Sequence, residues 1–171
     1  MRAFYVTVTM FLLMCVGAAQ QSPAKPAGTL AQVMRGMFFP NANLLFDVQS
    51  KDPGAPAKKF GEVGASATET FSNIYSGWQT VENAAIALEE ASDLLLKPGR
   101  LCENGRPVPL ERADWARFTR EMRDAGRAAL VAAQSRNREQ AIEVTNQIAD
   151  ACASCHEVYR DKPDLKNRCI P

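Results

Sequence analysis

The sequence predicts an all-α chain folded as an antiparallel up-down-up-down four-helix bundle. Three observations carry that expectation. Apolar residues recur at alternating steps of three and four along several long segments, the rhythm of a helix that buries one stripe. Short to moderate connections, marked by Pro and Gly, separate these segments, which suits antiparallel neighbours. No stretch sustains the period of two that a half-buried strand needs.

Composition bounds the reading further. A length of 171 residues accommodates one domain and a targeting segment. A hydrophobic share of 46% is enough to build a core rather than a disordered chain. Residues 1–19 read as a cleavable signal peptide: Arg2 is the only charge, Phe4 to Val16 is apolar, and Gly17-Ala18-Ala19 offers small residues for cleavage. The apolar run is short for a bilayer, so no stable membrane span is expected after cleavage; an uncleaved N-terminal anchor is the alternative. Removing this segment takes away Arg2 and leaves 19 basic against 19 acidic side chains. No basic stripe points to nucleic acid.

Residues 20–28, rich in Pro and small residues, read as a flexible leader, and residues 29–171 as the helical domain. Thr29 and Gln32 have capping-box spacing at the start of helix one. Leu30, Val33, Met34, Met37 and Phe38 follow on a helical face. Pro40 disfavours helical geometry at Phe39, so a kink or step is expected before the apolar run Asn43 to Val48. Residues 51–67 read as a loop, with room for a short helical piece near Phe60. Helix two carries Ile74, Trp78, Val81, Ala85, Leu88, Ser92 and Leu95 as a heptad seam, and Pro98-Gly99 stops it. Helix three begins after Pro109 with Trp115, Phe118, Met122, Ala125, Ala129 and Ala132 on one face. Its alanine-rich end would admit another helix or a flat ligand at close range. Helix four follows a turn at Ser135 to Asn137, where Asn137 and Gln140 again have capping-box-like spacing. Ile142, Thr145, Ala149, Cys152, His156 and Tyr159 share a face, and Pro163 sets the stop.

Cys152-Ala153-Ser154-Cys155-His156 is a C-x-x-C-H sequence, the signature of covalent c-type haem attachment. On a helix, residues three apart lie on one face, so the two thiols can each add to one vinyl group of a haem. His156 then brings its imidazole to the iron as the proximal ligand. It is the only histidine in the chain. Two other readings compete. A redox C-x-x-C needs a βαβ setting, and the flanks here are helical. A zinc site from Cys102, Cys152, Cys155 and Cys169 has only one pair with ligand-like spacing. Export agrees with haem attachment, because in bacteria the thioethers are made outside the cytoplasm.

Over residues 137–162 the chain resembles class II cytochromes c, the cytochrome c-prime-like family. Cys152-Ala-Ser-Cys155-His156-Glu-Val-Tyr159-Arg160 matches their C-x-x-C-H-x-x-Y/F-R ending. Over the other helices the likeness rests on pattern and length. Pro40, the long loop after it, and the extra Cys102 and Cys169 depart from the family pattern. The resemblance implies a four-helix bundle with one covalent haem c near its C-terminus. It implies a helix-one methionine as the sixth iron ligand, as in the low-spin members. Up-down-up-down topology brings the end of helix four beside the start of helix one, where Met34 and Met37 sit. Met34 is the first choice and Met37 the second, with Met122 a distant third; the bland alternative is that they only fill the core. The resemblance also implies a propionate contact for Arg160, against the alternative of a surface arginine suited to a helix C-terminus. The loop after helix two and the C-terminal tail belong to that same end of the bundle, so a Cys102–Cys169 disulfide is expected in an exported protein.

The function expected is that of a periplasmic or otherwise exported electron carrier, not an enzyme, serving redox partner proteins, with a homodimer among the family's habits. No set of acid, base and nucleophile points to catalysis. The alternative is a five-coordinate haem protein that binds nitric oxide or carbon monoxide.

Overall fold

A computed structural model describes residues 25–56 and 76–171. The signal peptide, most of the leader, the helical piece near Phe60 and the Ile74 position of the seam lie outside the described residues. Helices take up 68% of the described residues and no strand occurs among them, so the class is all-α. No helix among the described residues is long and apolar enough to cross a membrane.

The first helix is a composite: α1 (Leu30–Val33), a π-turn (Met34–Phe38), α2 (Phe39–Phe46) and a 3-10 turn (Asp47–Gln49). Thr29 caps it with the expected reciprocal box: the Gln32 N–H donates to the Thr29 hydroxyl, and the Thr29 N–H donates to the Gln32 side chain at 2.8 Å. Pro40 does not break the helix, and Phe39 keeps right-handed helical angles (φ −59°, ψ −48°). A proline ring in a helix clashes with the carbonyl four residues back and supplies no N–H. The π-turn widens the helix just ahead of it, and the Phe39 N–H reaches back five residues to the Met34 carbonyl. The expected step is thus absorbed inside a continuous helix.

The second helix, α3 (Trp78–Ala91), tightens into a 3-10 segment at Ser92–Leu96. Of the predicted seam, Val81, Ala85, Leu88, Ser92 and Leu95 are buried and Trp78 is half-buried. The helix starts at Gly77, whose φ of +63° suits glycine; a Cβ there would meet the Pro53 carbonyl oxygen at 2.6 Å. The third helix, α4 (Ala113–Ser135), buries every residue of its predicted face. The fourth, α5 (Arg138–Tyr159), is capped by the Asn137 side chain, which accepts from the Gln140 N–H at 3.1 Å.

Side-chain contacts give the relative sense of several helix pairs. Along α4, the Trp115 indole donates to the Leu95 carbonyl, Arg123 pairs with Asp93, and Arg127 pairs with Glu89. Rising numbers on α4 therefore meet falling numbers on α3 and its extension. Between α4 and α5, Tyr159 packs on Trp115 at one end and Ser135 bonds Gln140 at the other. The far end of the first helix meets the start of α5, where Arg138 donates to the Val48 and Gln49 carbonyls.

One face needs correction. The buried stripe of α5 is Ala141, Val144, Thr145, Ile148, Ala151 and Tyr159. Ala149 is exposed, and Ile142, Cys152 and His156 are half-buried. The predicted stripe lies one flank off because a cavity, not a neighbouring helix, faces much of it.

Candidate cofactor site

A cavity of about 560 Å³ opens between the first helix, α4 and α5. That size suits a small-molecule or cofactor site. Its walls are largely apolar. The first helix contributes Leu30, Met34, Phe38, Ala42 and Phe46; α3 and its extension contribute Leu88 and Leu95. Trp115, Phe118, Thr119 and Met122 come from α4, and Ala151, Cys152, Cys155, His156 and Tyr159 from α5. The rim holds Arg35, Glu103, Arg160, Arg168 and the cysteines 102 and 169.

The helical spacing of three and four places Cys152, Cys155 and His156 together on this cavity. All three are half-buried, and both thiols are free. Burial pushes both thiols up, Cys155 to about 12, with Cys152, Asp114 and Glu121 adding to the rise at Cys155. Burial lowers the His156 pKa, helped by the nearby Arg160 cation. The site thus presents protonated thiols and a neutral imidazole. The zinc reading loses two donors, because Cys102 and Cys169 are bonded to each other. No group of three or more His, Cys, Asp or Glu able to hold a metal ion occurs among the described residues.

Of the two helix-one methionines, Met34 lines the cavity, whereas Met37 is 39% exposed and stands outside the lining. Met122 is buried in the wall. Arg160 stands at the rim with its side chain 54% exposed and donates to Asp161 at 2.7 Å.

The Cys102–Cys169 disulfide is present, with Cα atoms 6.5 Å apart and a sequence separation of 67. It fastens the tail to the loop that follows the second helix. Asn104 adds side-chain hydrogen bonds to the Leu165 and Arg168 carbonyls at 3.0 and 2.9 Å. The loop is itself anchored by buried Arg100, which donates to the carbonyls of Leu94 and Gly28. The end of the predicted flexible leader is therefore held.

Two groupings escape sequence reasoning. Tyr159 lies edge-on to Trp115 and Phe118, and its hydroxyl donates to Asp114 at 2.8 Å while accepting from Arg112 at 2.9 Å. At the rim, Glu103 accepts from Arg35 at 2.7 Å and from Arg168 at 3.1 Å. Glu103 and Arg168 flank the bridged cysteines, so the disulfide was the one signal that could have brought them together.

No protein-family model, curated protein or solved structure matches this chain.

Proposed function

We propose that the chain is an exported c-type cytochrome: a four-helix up-down-up-down bundle that carries one haem c and passes single electrons between redox partner proteins. The observation that carries this reading is the meeting of the C-x-x-C-H side chains and Met34 on one large apolar cavity. The donor set fits the group. Cys152 and Cys155 would hold it through thioethers, each S–H adding across one vinyl double bond. His156 would be the proximal iron ligand and Met34 the distal one. Bound there, haem supplies a ferric/ferrous couple whose potential methionine ligation raises.

The remaining contributions come from the chain. The apolar walls exclude water and lower the local dielectric. Burial keeps His156 in the neutral form that a ligand needs. Asp114 and Arg112 hold Tyr159, and the carbonyl of His156 accepts from the N–H groups of Arg160 and Asp161, which fixes the end of α5. The antiparallel contacts between successive helices support the bundle topology, and the disulfide suits an oxidising compartment such as the periplasm.

The test is expression in a bacterial strain with a c-type cytochrome maturation system, followed by a haem stain after denaturing electrophoresis. Retained stain, lost in a Cys152→Ala/Cys155→Ala variant, is the expected result; an unstained wild type ends the reading. The oxidised protein should show a low-spin spectrum with a methionine–iron charge-transfer band. Met34→Ala should make it high-spin and sensitive to carbon monoxide. A wild type that is already high-spin and shifts with carbon monoxide would instead establish the five-coordinate, gas-binding alternative.

A further inference from the structure

We propose that Arg168, held in place by the Cys102–Cys169 bridge, is the docking point for a carboxylate of the cavity's occupant, and that Glu103 tunes it. The proposal rests on the haem reading, in which the carboxylate is a propionate; it moves to the tail the role that the resemblance implies for Arg160.

An apolar cavity accepts the body of a porphyrin but not its charged groups, which must lie at the rim beside cations. Three arginines line the cavity there: Arg35, Arg160 and Arg168. Arg160 is largely exposed and already paired with Asp161. The Arg35 side chain is 67% exposed. Arg168 is the least exposed of the three, with its side chain at 37%. Its Nη1 donates to Glu103, while its Nε is buried and has no hydrogen-bond partner. Buried polar atoms are nearly always paired, so an orphaned guanidinium N–H calls for an acceptor. A carboxylate is the acceptor a guanidinium takes best.

The position is also fixed. Cys169 is disulfide-bonded, its N–H donates to the Tyr159 carbonyl at 2.8 Å, and Asn104 holds the Arg168 carbonyl. A tail residue therefore sits at a set height over the end of α5. Glu103 receives both Arg35 and Arg168, which keep it ionised. With Asp161 on Arg160, the rim carries three cations against two anions and has room for one more negative charge.

The test is the midpoint potential of the haem-loaded protein as a function of pH, for wild type, Arg168→Met, Arg168→Lys and Glu103→Gln. An adjacent cation lowers a carboxylate pKa by about 1–3 units. Arg168→Met should lower the potential and move its pH-dependent step upward by about that amount. Arg168→Lys should restore part of the shift. Glu103→Gln frees the guanidinium and should move both quantities the opposite way. A non-reducing peptide map showing the 102–169 bridge intact in each variant separates the effect from loss of the tail. A haem-loaded Arg168→Met with an unmoved step overturns the inference alone. So do Arg168→Met and Glu103→Gln shifts of the same sign, the mark of general loosening. A wild type without covalent haem overturns the inference together with the reading beneath it.

Discussion

One helix serves two opposite ends. The first half of α4 presents Trp115, Phe118 and Met122 to the cavity. Its second half presents Ala125, Gly126, Ala129, Ala132 and Ala133, all buried. Around the large residues the neighbouring elements stand apart and leave about 560 Å³. Along the small ones they close: a Cβ on Gly126 would lie 2.7 Å from the Glu89 backbone nitrogen and 3.3 Å from the Ala85 carbonyl oxygen. A gradient of side-chain size along a single seam therefore makes a solid at one end and a binding space at the other. The alanine-rich stretch admits a helix, and the open space lies where the aromatics are.

The largest way to break this contrast is to release the open end. Without the Cys102–Cys169 bridge, the loop and tail at the rim lose their covalent tie. Replacing both cysteines with alanine should cost about 2–5 kcal/mol. Urea unfolding followed by circular dichroism reads the loss, and native-state hydrogen exchange should place the early opening in residues 98–112 and 160–171 rather than in α3. Equal loss of protection in α3 would mean that the two ends form one cooperative unit.

A smaller pair of changes sharpens the same contrast by adding carbon at each end. Gly126→Ala puts a methyl against backbone that cannot move aside, and overpacking of this kind costs about 1–3 kcal/mol. Ala42→Val adds two methyl groups on the cavity wall, where space exists. In the haem-free protein it should cost only about 0.5 kcal/mol, the helix-propensity penalty of a β-branched residue. Similar losses for the two variants would show that the cavity is as tightly constrained as the seam.

How much of this was legible in the sequence follows the same division. The α3–α4 seam was read residue by residue, since Val81 to Leu95 and Trp115 to Ala132 repeat with the helical period and are buried as that period requires. The cavity side was legible only through its chemistry: the C-x-x-C-H spacing predicted that Cys152, Cys155 and His156 come together, as they do on the cavity wall, but the stripe of α5 was misjudged. Periodicity reports which residues avoid water and cannot separate a wall facing a helix from a wall facing a ligand. Pro40 was read as an interruption because its rules are local, and a π-turn that absorbs it depends on the surrounding packing. Gly126 was passed over since close approach of two backbones leaves no periodic mark. The Glu103–Arg168 pair spans 65 residues and exists only through the disulfide, so no local pattern could announce it.

The smallest effect expected lies where the start of α4 is tied to the C-terminal end of α5. Arg112 holds the Asp114 carboxyl below its ordinary value of 3.8, and the Tyr159 hydroxyl that donates to it does the same. Burial raises the Tyr159 phenol above 10.0, and its hydrogen bond to Asp114 raises it further. The signs set a window. A depressed carboxyl stabilises the fold above its unfolded pKa and loses that contribution as pH falls through the folded value. A raised phenol stabilises the fold below 10.0 and loses that contribution as pH rises through its folded value. The unfolding midpoint of haem-free protein should therefore fall at both edges; lowered His156 adds to the loss below its ordinary 6.5, and the raised thiols of Cys152 and Cys155 add to it above 9.0. Asp114→Asn keeps an acceptor for Tyr159 but removes the charge. It should flatten the acid edge by a small amount, because the Arg112–Asp114 pair is partly exposed and solvent-screened. Urea midpoints measured at a series of pH values for both proteins decide it. Two curves that stay parallel through the acid edge would mean that Asp114 holds Tyr159 by shape alone, with no share in the electrostatics at that end of α5.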